Sequence, residues 1–307
     1  MSHEGTPDEQ AIREAKIRER LDRINRKIIV MSGKGGVGKS TVTVNLANAL
    51  VDAGKTVGIL DTDLHGPNVA KMLGCESGAL ESADGQNFIP VKVRDGLFVV
   101  SLSFALNSSS DPVIWRGPMK IAVIKQFLGD VEWGNLDYLL IDTPPGTGDE
   151  QLTVIQAIPE MTGSIIVTTP QDVAILDARK SVNFSRKLGV AVLGIIENMS
   201  GLICPDCGKE IPIFGKGGGV KMSQEMDTPY LGSIPLEMHL REYEDEGVSA
   251  LEKSPESKST KALKDIAQFL DSSIAVSSEK TDYINTSKCS PSACATCSSN
   301  CSSRKDS

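Results

Sequence analysis

Residues 33–41 read Gly33-Lys34-Gly35-Gly36-Val37-Gly38-Lys39-Ser40-Thr41. The stretch decides the fold, because a triphosphate needs inward-pointing backbone N–H groups, a helix N-terminus, a point cation and a hydroxyl for magnesium. All of these are present. Gly33, Gly35, Gly36 and Gly38 remove the Cβ atoms that would keep the main chain away from phosphate oxygens. Lys39 is spaced to reach the β and γ phosphates of ATP, and Ser40 to ligate Mg²⁺. Before the loop, Arg26-Lys27-Ile28-Ile29-Val30-Met31 is a short run of strand character. After it, Val44, Leu46, Ala47 and Leu50 recur at helical spacing from Thr41 onward. Strand, glycine turn and helix therefore stand in the order that a nucleotide loop requires.

Lys34 is an additional cation in a loop where Lys39 already neutralises the terminal phosphates. Its natural target lies across an interface, as for an arginine finger supplied in trans, so it points to two nucleotide sites facing each other in a homodimer. A solvated loop lysine is the alternative. The loop resembles the deviant Walker A of the MinD/ParA/nitrogenase-iron-protein class of P-loop ATPases. That resemblance implies dimerisation around ATP, with the signature lysine crossing the interface.

Two carboxylate segments join this loop. The run Thr56-Val57-Gly58-Ile59-Leu60 ends in Asp61-Thr62-Asp63, and Leu136-Asp137-Tyr138-Leu139-Leu140-Ile141 ends in Asp142-Thr143-Pro144-Pro145-Gly146. In an open parallel sheet, acids at strand carboxyl ends converge on the ligand crevice. Asp142 is the Walker B candidate for Mg²⁺, directly or through water. By resemblance to the class, Asp61 and Asp63 form the first switch, with Asp63 matching the position that orients the attacking water. Gly146-Thr147-Gly148-Asp149 reads as a flexible second switch. Each aspartate alone is also compatible with a helix cap or turn.

The chain has 307 residues, 40% of them hydrophobic, and a formal charge of −8. It can bury one large α/β core, and its acidity argues against a nonspecific DNA-binding surface without excluding a local basic patch. No apolar run reaches transmembrane length and no signal peptide precedes the first strand, so a cytosolic protein with no membrane and no nucleic-acid partner is expected. Apolar runs at 28–31, 56–60, 97–102, 138–141, 164–168 and 192–196 alternate with helical stretches. The pattern predicts a doubly wound, mostly parallel sheet with helices on both faces. Across residues 8–27 and into Ile28, the positions Ile17, Leu21, Ile24 and Ile28 predict an amphipathic helix, whose mixed charges favour packing on the domain or a partner over a membrane surface. From about Ser272 the serine-rich sequence loses its period and reads as a mobile tail. The expected divisions are 1–27, 28–271 and 272–307.

Seven cysteines, Cys75, Cys204, Cys207, Cys289, Cys294, Cys297 and Cys301, bear on function. Grouped cysteines in a cytosolic chain point to metal or redox chemistry before disulfides. Cys75 stands alone and reads as a small buried hydrophobe. In Cys204-Pro205-Asp206-Cys207-Gly208, two thiolates can clamp one metal centre, and the glycine permits the tight turn. One pair is half of a four-thiolate site; a symmetric dimer supplies the other half. Iron and zinc both accept such ligands, and a redox dithiol or half zinc ribbon remains an alternative.

With this motif the resemblance narrows to the Mrp-type ATP-binding iron-sulfur carriers, over approximately residues 25–270. The matching segments are the loop, Asp61-Thr62-Asp63-Leu64-His65-Gly66-Pro67-Asn68, Trp115-Arg116-Gly117-Pro118-Met119, residues 142–149, Thr169-Pro170-Gln171-Asp172, Glu197-Asn198-Met199-Ser200-Gly201 and the cysteine pair. The resemblance implies a labile [4Fe-4S] cluster bridging two protomers at Cys204 and Cys207 and passed to apo iron-sulfur proteins, with ATP hydrolysis as the switch. It also implies that Asn198 reads the adenine edge; a turn-forming asparagine is the alternative. The tail departs from the family pattern, since Cys289, Cys294, Cys297 and Cys301 could form a second metal site or bind zinc adventitiously. His65 and His239 lack metal-pair spacing. Two other readings stay open: a ParA/MinD-like positioning ATPase without cluster chemistry, and a nitrogenase-reductase-like electron donor.

Overall fold

The strand that precedes the glycine loop, β1 (Ile24–Met31), lies inside an eight-stranded sheet with a neighbour on each side. The computed structural model describes residues 7–63, 66–82, 85, 87–105 and 117–284. Around β1, α1 (Pro7–Leu21), α2 (Lys39–Asp52), β2 (Val57–Asp61), the short α3 (Val69–Met72) and the two-residue strands β3 (Glu81–Ser82) and β4 (Phe88–Ile89) form the N-terminal part. Next come β5 (Val91–Arg94), β6 (Leu97–Ser101), α4 (Gly117–Asp130), β7 (Leu136–Asp142), α5 (Asp149–Ala157), β8 (Gly163–Thr168), α6 (Asp172–Lys187) and β9 (Val192–Glu197). A hairpin of β10 (Leu202–Ile203) and β11 (Glu210–Ile211) precedes α7 (Gly218–Glu225), β12 (Tyr230–Ser233), α8 (Met238–Glu246), α9 (Ala250–Lys253) and α10 (Lys258–Ile284).

The sheet order is β12-β9-β8-β1-β7-β2-β6-β5, parallel throughout except for β5, which runs antiparallel to β6. Strands β2 and β8 are buried along their whole length. Burial on both faces explains their continuous Val, Ile and Leu content. The chain steps outward from β1 to β2 and β6, returns to insert β7, and then crosses to β8, β9 and β12 on the other flank. The order therefore reverses at β1, and the crevice beyond its carboxyl end is where such sheets bind ligands. Ile29, Leu60, Ile141, Ile166 and Ile195 belong to one core cluster.

Helix α1 packs on α4 through Ile17 and Leu21, both buried, and the Lys16 ammonium donates to Asp130 at 2.7 Å. The sequence pattern placed Ile24 and Ile28 on this helix; instead the helix stops at Leu21 and both residues lie in β1. Pairing of Ile24 with Leu136 and of Ile28 with Leu140 prevails over a helical spacing that β-branched residues favour weakly. At the other end, α10 runs to Ile284, so residues 272–284 are helical where an aperiodic tail was expected. The first compact unit is Met1–Gln268; the second, Phe269–Ser307, contributes the last part of α10 among its described residues. Cys289, Cys294, Cys297 and Cys301 lie outside the described residues, as do Leu64, His65, Trp115 and Arg116. Among the described residues no helix is long and apolar enough to cross a membrane.

Candidate functional site

The glycine loop leaves β1 at Ser32 and enters α2 through Gly38, whose φ of 78° and ψ of 32° place it in the left-handed region. Gly36 has the same φ. These positions turn the chain and aim the first N–H groups of α2 toward the loop's interior. Gly33 is required for a different reason: a Cβ there would lie 2.2 Å from the Asp177 backbone carbonyl carbon, because α6 passes directly against the loop.

Asp142, at the end of β7, organises the site. One of its carboxylate oxygens accepts Ser40 Oγ at 2.6 Å and lies 2.7 Å from the Lys39 ammonium; the other accepts Thr43 Oγ1 at 2.8 Å. Asp142 is fully buried and Lys39 is 6% exposed. Hydroxyl and carboxylate oxygens of Ser40 and Asp142 thus lie side by side, a hard donor pair that fits Mg²⁺. Asp61 is the register partner of Asp142 on β2 and is equally buried. Its carboxylate accepts Asp63 N–H at 3.0 Å and Ser101 Oγ at 2.9 Å. Burial, then the neighbouring Asp142 charge, push the Asp61 pKa up to about 8. Asp63 is half-buried on the following loop, where it accepts Gly66 N–H at 3.3 Å. The segment after Asp142 closes over the loop through Gly146 N–H, which donates to Ser32 O at 2.7 Å.

Lys34 is half-buried, and its carbonyl accepts Ser32 Oγ. Asn198 follows β9, which is separated from β1 by one strand, so their ends are about 10 Å apart. Its amide donates to the Val37 carbonyl at 2.9 Å. Glu244 on α8 was not legible in the sequence, yet it accepts Thr41 Oγ1 at 2.9 Å and Asn45 Nδ2 at 2.7 Å. Burial raises its pKa to about 7 against those hydrogen bonds.

The β10–β11 hairpin carries the cysteine pair. Cys204 N–H donates to Lys209 O, and Gly208 N–H to Cys204 O, both at 2.9 Å; Gly208 has a φ of 68°. Cys204 is half-buried and Cys207 exposed. Backbone N–H groups of Cys207 and Asp206, together with the Cys207 thiol, point at the Cys204 sulfur and lower its pKa. A turn that stabilises thiolate suits a soft metal. Among the described residues no group of three or more His, Cys, Asp or Glu side chains is placed to hold a metal ion, so the pair stands as two ligands. Cys75 is half-buried, its thiol directed at Ala70 O and its pKa pushed up to about 11 by burial. His239 sits 3.8 Å from the Glu237 carboxylate.

A family model described as ParA, NUBPL iron-transfer P-loop NTPase, matches residues 23–271. The iron-sulfur cluster carrier protein of Methanocaldococcus jannaschii is 53% identical over 238 residues, covering 78% of this chain and 82% of that protein. That of Saccharolobus solfataricus is 48% identical over 252 residues, covering 82% and 85%. Among solved structures, a nucleotide-binding protein from Archaeoglobus fulgidus in complex with ADP is 39% identical, with a TM-score of 0.69 over 80% of this chain and 94% of that one. The septum site-determining protein MinD of Pyrococcus horikoshii, complexed with Mg-ADP, gives a TM-score of 0.59 at 27% identity over 80% and 96%. With the phosphate loop and the sheet order in agreement, this chain belongs to the ParA-type iron-transfer P-loop NTPases.

Proposed function

We propose that the chain is an ATP-hydrolysing carrier that holds an iron-sulfur cluster between two copies of itself and hands it to apoproteins. The observation that carries this reading is the exposed Cys204/Cys207 turn in a chain whose phosphate loop is complete. A cubane cluster takes four thiolates, and a twofold axis doubles each chain's two. Relatives named as iron-sulfur cluster carriers support the cargo.

In this reading Lys39 neutralises the β and γ phosphates, while Ser40 and Asp142 hold Mg²⁺, which offsets phosphate charge. Asp142 would then release the Lys39 ammonium, which pairs with it at 2.7 Å, to the phosphates. Asp63 orients the attacking water. Lys34 reaches the nucleotide of the partner subunit, and Asn198 turns its amide from Val37 O to the adenine edge. Hydrolysis loosens the homodimer and changes how the bridging cargo is held. From their spacing in the sequence alone, we also propose that Cys289, Cys294, Cys297 and Cys301 bind a second metal, so that a chain ending before Lys288 should lose the corresponding iron.

Oxygen-free purification followed by iron, sulfide and zinc analysis and mass measurement tests the proposal. On the order of four irons per dimer are expected at Cys204 and Cys207, transferable to an apo-acceptor. A nucleotide-bound monomer without iron at this pair overturns it, and ATP-dependent DNA or vesicle association without iron would favour a positioning ATPase.

A further inference from the structure

Residues 197–201 touch both sites. On the nucleotide side, Asn198 is bonded to Val37 O, and a Cβ on Gly38 would lie 2.2 Å from the Asn198 amide nitrogen and 3.6 Å from Met199 Cε. On the cysteine side, Gly201 runs directly into β10. Its carbonyl accepts Leu236 N–H at 2.8 Å, and a Cβ on it would lie 2.7 Å from Glu210 Oε1 on the returning strand β11. The start of α7, which follows the end of β11 after a short connection, is held by Glu197. This fully buried carboxylate accepts Ser200 Oγ at 2.5 Å, Gly217 N–H at 3.0 Å and Gly219 N–H at 2.6 Å. Gly217 caps α7 and Gly219 lies in its first turn, and the carboxylate satisfies N–H groups that a helix start leaves without partners. Between the two contacts, Met199 is held at a φ of 54°, a left-handed conformation that persists in a non-glycine residue only when its surroundings impose it.

We infer that residues 197–201 couple the state of the phosphate loop to the geometry of the Cys204/Cys207 turn, with Glu197 and Ser200 as positioning residues. The inference rests on the reading that the loop takes nucleotide and the cysteine pair takes metal. Movement of Asn198 relative to Val37 is passed to the hairpin's entry at Gly201 and, through Glu197, to the start of α7 that follows the hairpin in the chain, because both are tied to the same short segment. Packed side chains and hydrogen bonds of this kind carry coupling when the element they join has two arrangements. Linkage makes the effect reciprocal, so whatever occupies the cysteines changes nucleotide affinity by the same factor.

The test uses the full-length, reduced, metal-free protein. Alkylation rates of Cys204 and Cys207 by iodoacetamide are followed by peptide mass spectrometry with and without Mg-ADP, whose affinity is measured by calorimetry. In the native chain, ADP is expected to change the rate at one or both thiols by roughly five-fold. Glu197→Gln places an amide NH₂ against at least one N–H or O–H donor, and Ser200→Ala removes only a hydroxyl; both should bind ADP and lose the response. If Glu197→Gln fails to fold, Ser200→Ala decides. The inference is overturned by an absent ADP response in the native chain, by variants that keep it, or by variants that shift alkylation equally with and without ADP. Iron loading, measured separately, distinguishes the two readings: an ADP response in a chain that takes no iron defeats the carrier proposal alone, and iron without the response defeats the coupling alone.

Discussion

Asp142 and Cys207 mark opposite extremes of one molecule: the carboxylate is fully buried with three side-chain partners, whereas the thiol stands exposed on a hairpin whose strands are two residues long. The contrast separates two kinds of work. Charges fixed in a dry pocket need little reorganisation when phosphate charge develops, and their fields are strong because water is excluded. On the carrier reading proposed above, a cargo that leaves calls for ligands an acceptor can reach. The molecule therefore spends its packing on the loop and leaves the cysteine turn open.

The largest effect should come from the exposed end. Replacing Cys204 and Cys207 by serine, in a chain ending before Lys288, should remove all cluster iron and its visible absorption while ADP titrations stay unchanged. Retained absorption would mean that the open turn is not the cargo site. At the buried end, Lys39→Ala should lower ATP hydrolysis, measured as phosphate release, by ~100-fold or more, and leave iron at the cysteine pair intact. Iron loss in that variant would erase the division between the two regions.

Paired glycine substitutions sharpen the comparison. Gly33→Ala meets the Asp177 backbone and should cost about 1–3 kcal/mol in denaturant unfolding. Gly208→Ala meets nothing within 4 Å and should cost only its left-handed conformation, about 1 kcal/mol. Equal costs would contradict the difference in packing. A separate effect is on pH dependence. With Asp61 raised from 3.8 to about 8, the native state keeps a proton that the unfolded chain releases, so stability falls as pH rises through this window. Asp61→Asn should flatten that slope between pH 5 and 8 in urea titrations.

The six predicted strands were legible because each is a nearly continuous apolar run buried on both faces. Edge strands gave no such signal: β12 contains Gly232, and β5 alternates valine with Lys92 and Arg94. Helix α10 was hidden because serines at 272, 273, 277 and 278 interrupt the apolar period without breaking a helix as glycine or proline would. The phosphate-loop residues and Asp142 were legible as local motifs. Glu244 and Ser101 were not, since Glu244 meets Thr41 across 203 positions and Ser101 meets Asp61 across 40, and only the folded sheet brings them together. Glu197 stood beside a motif residue, but its hold on α7 has no sequence signature.

The sheet's β5 edge has a consequence for assembly. This strand is short, opposed in direction to its neighbour, and carries Lys92 and Arg94, the latter drawn to Asp52 at 2.8 Å. Such an edge deters strand-by-strand growth into larger sheets. Self-association by backbone zippering is disfavoured on that flank, so the pairing of two copies proposed above would fall to side-chain surfaces elsewhere.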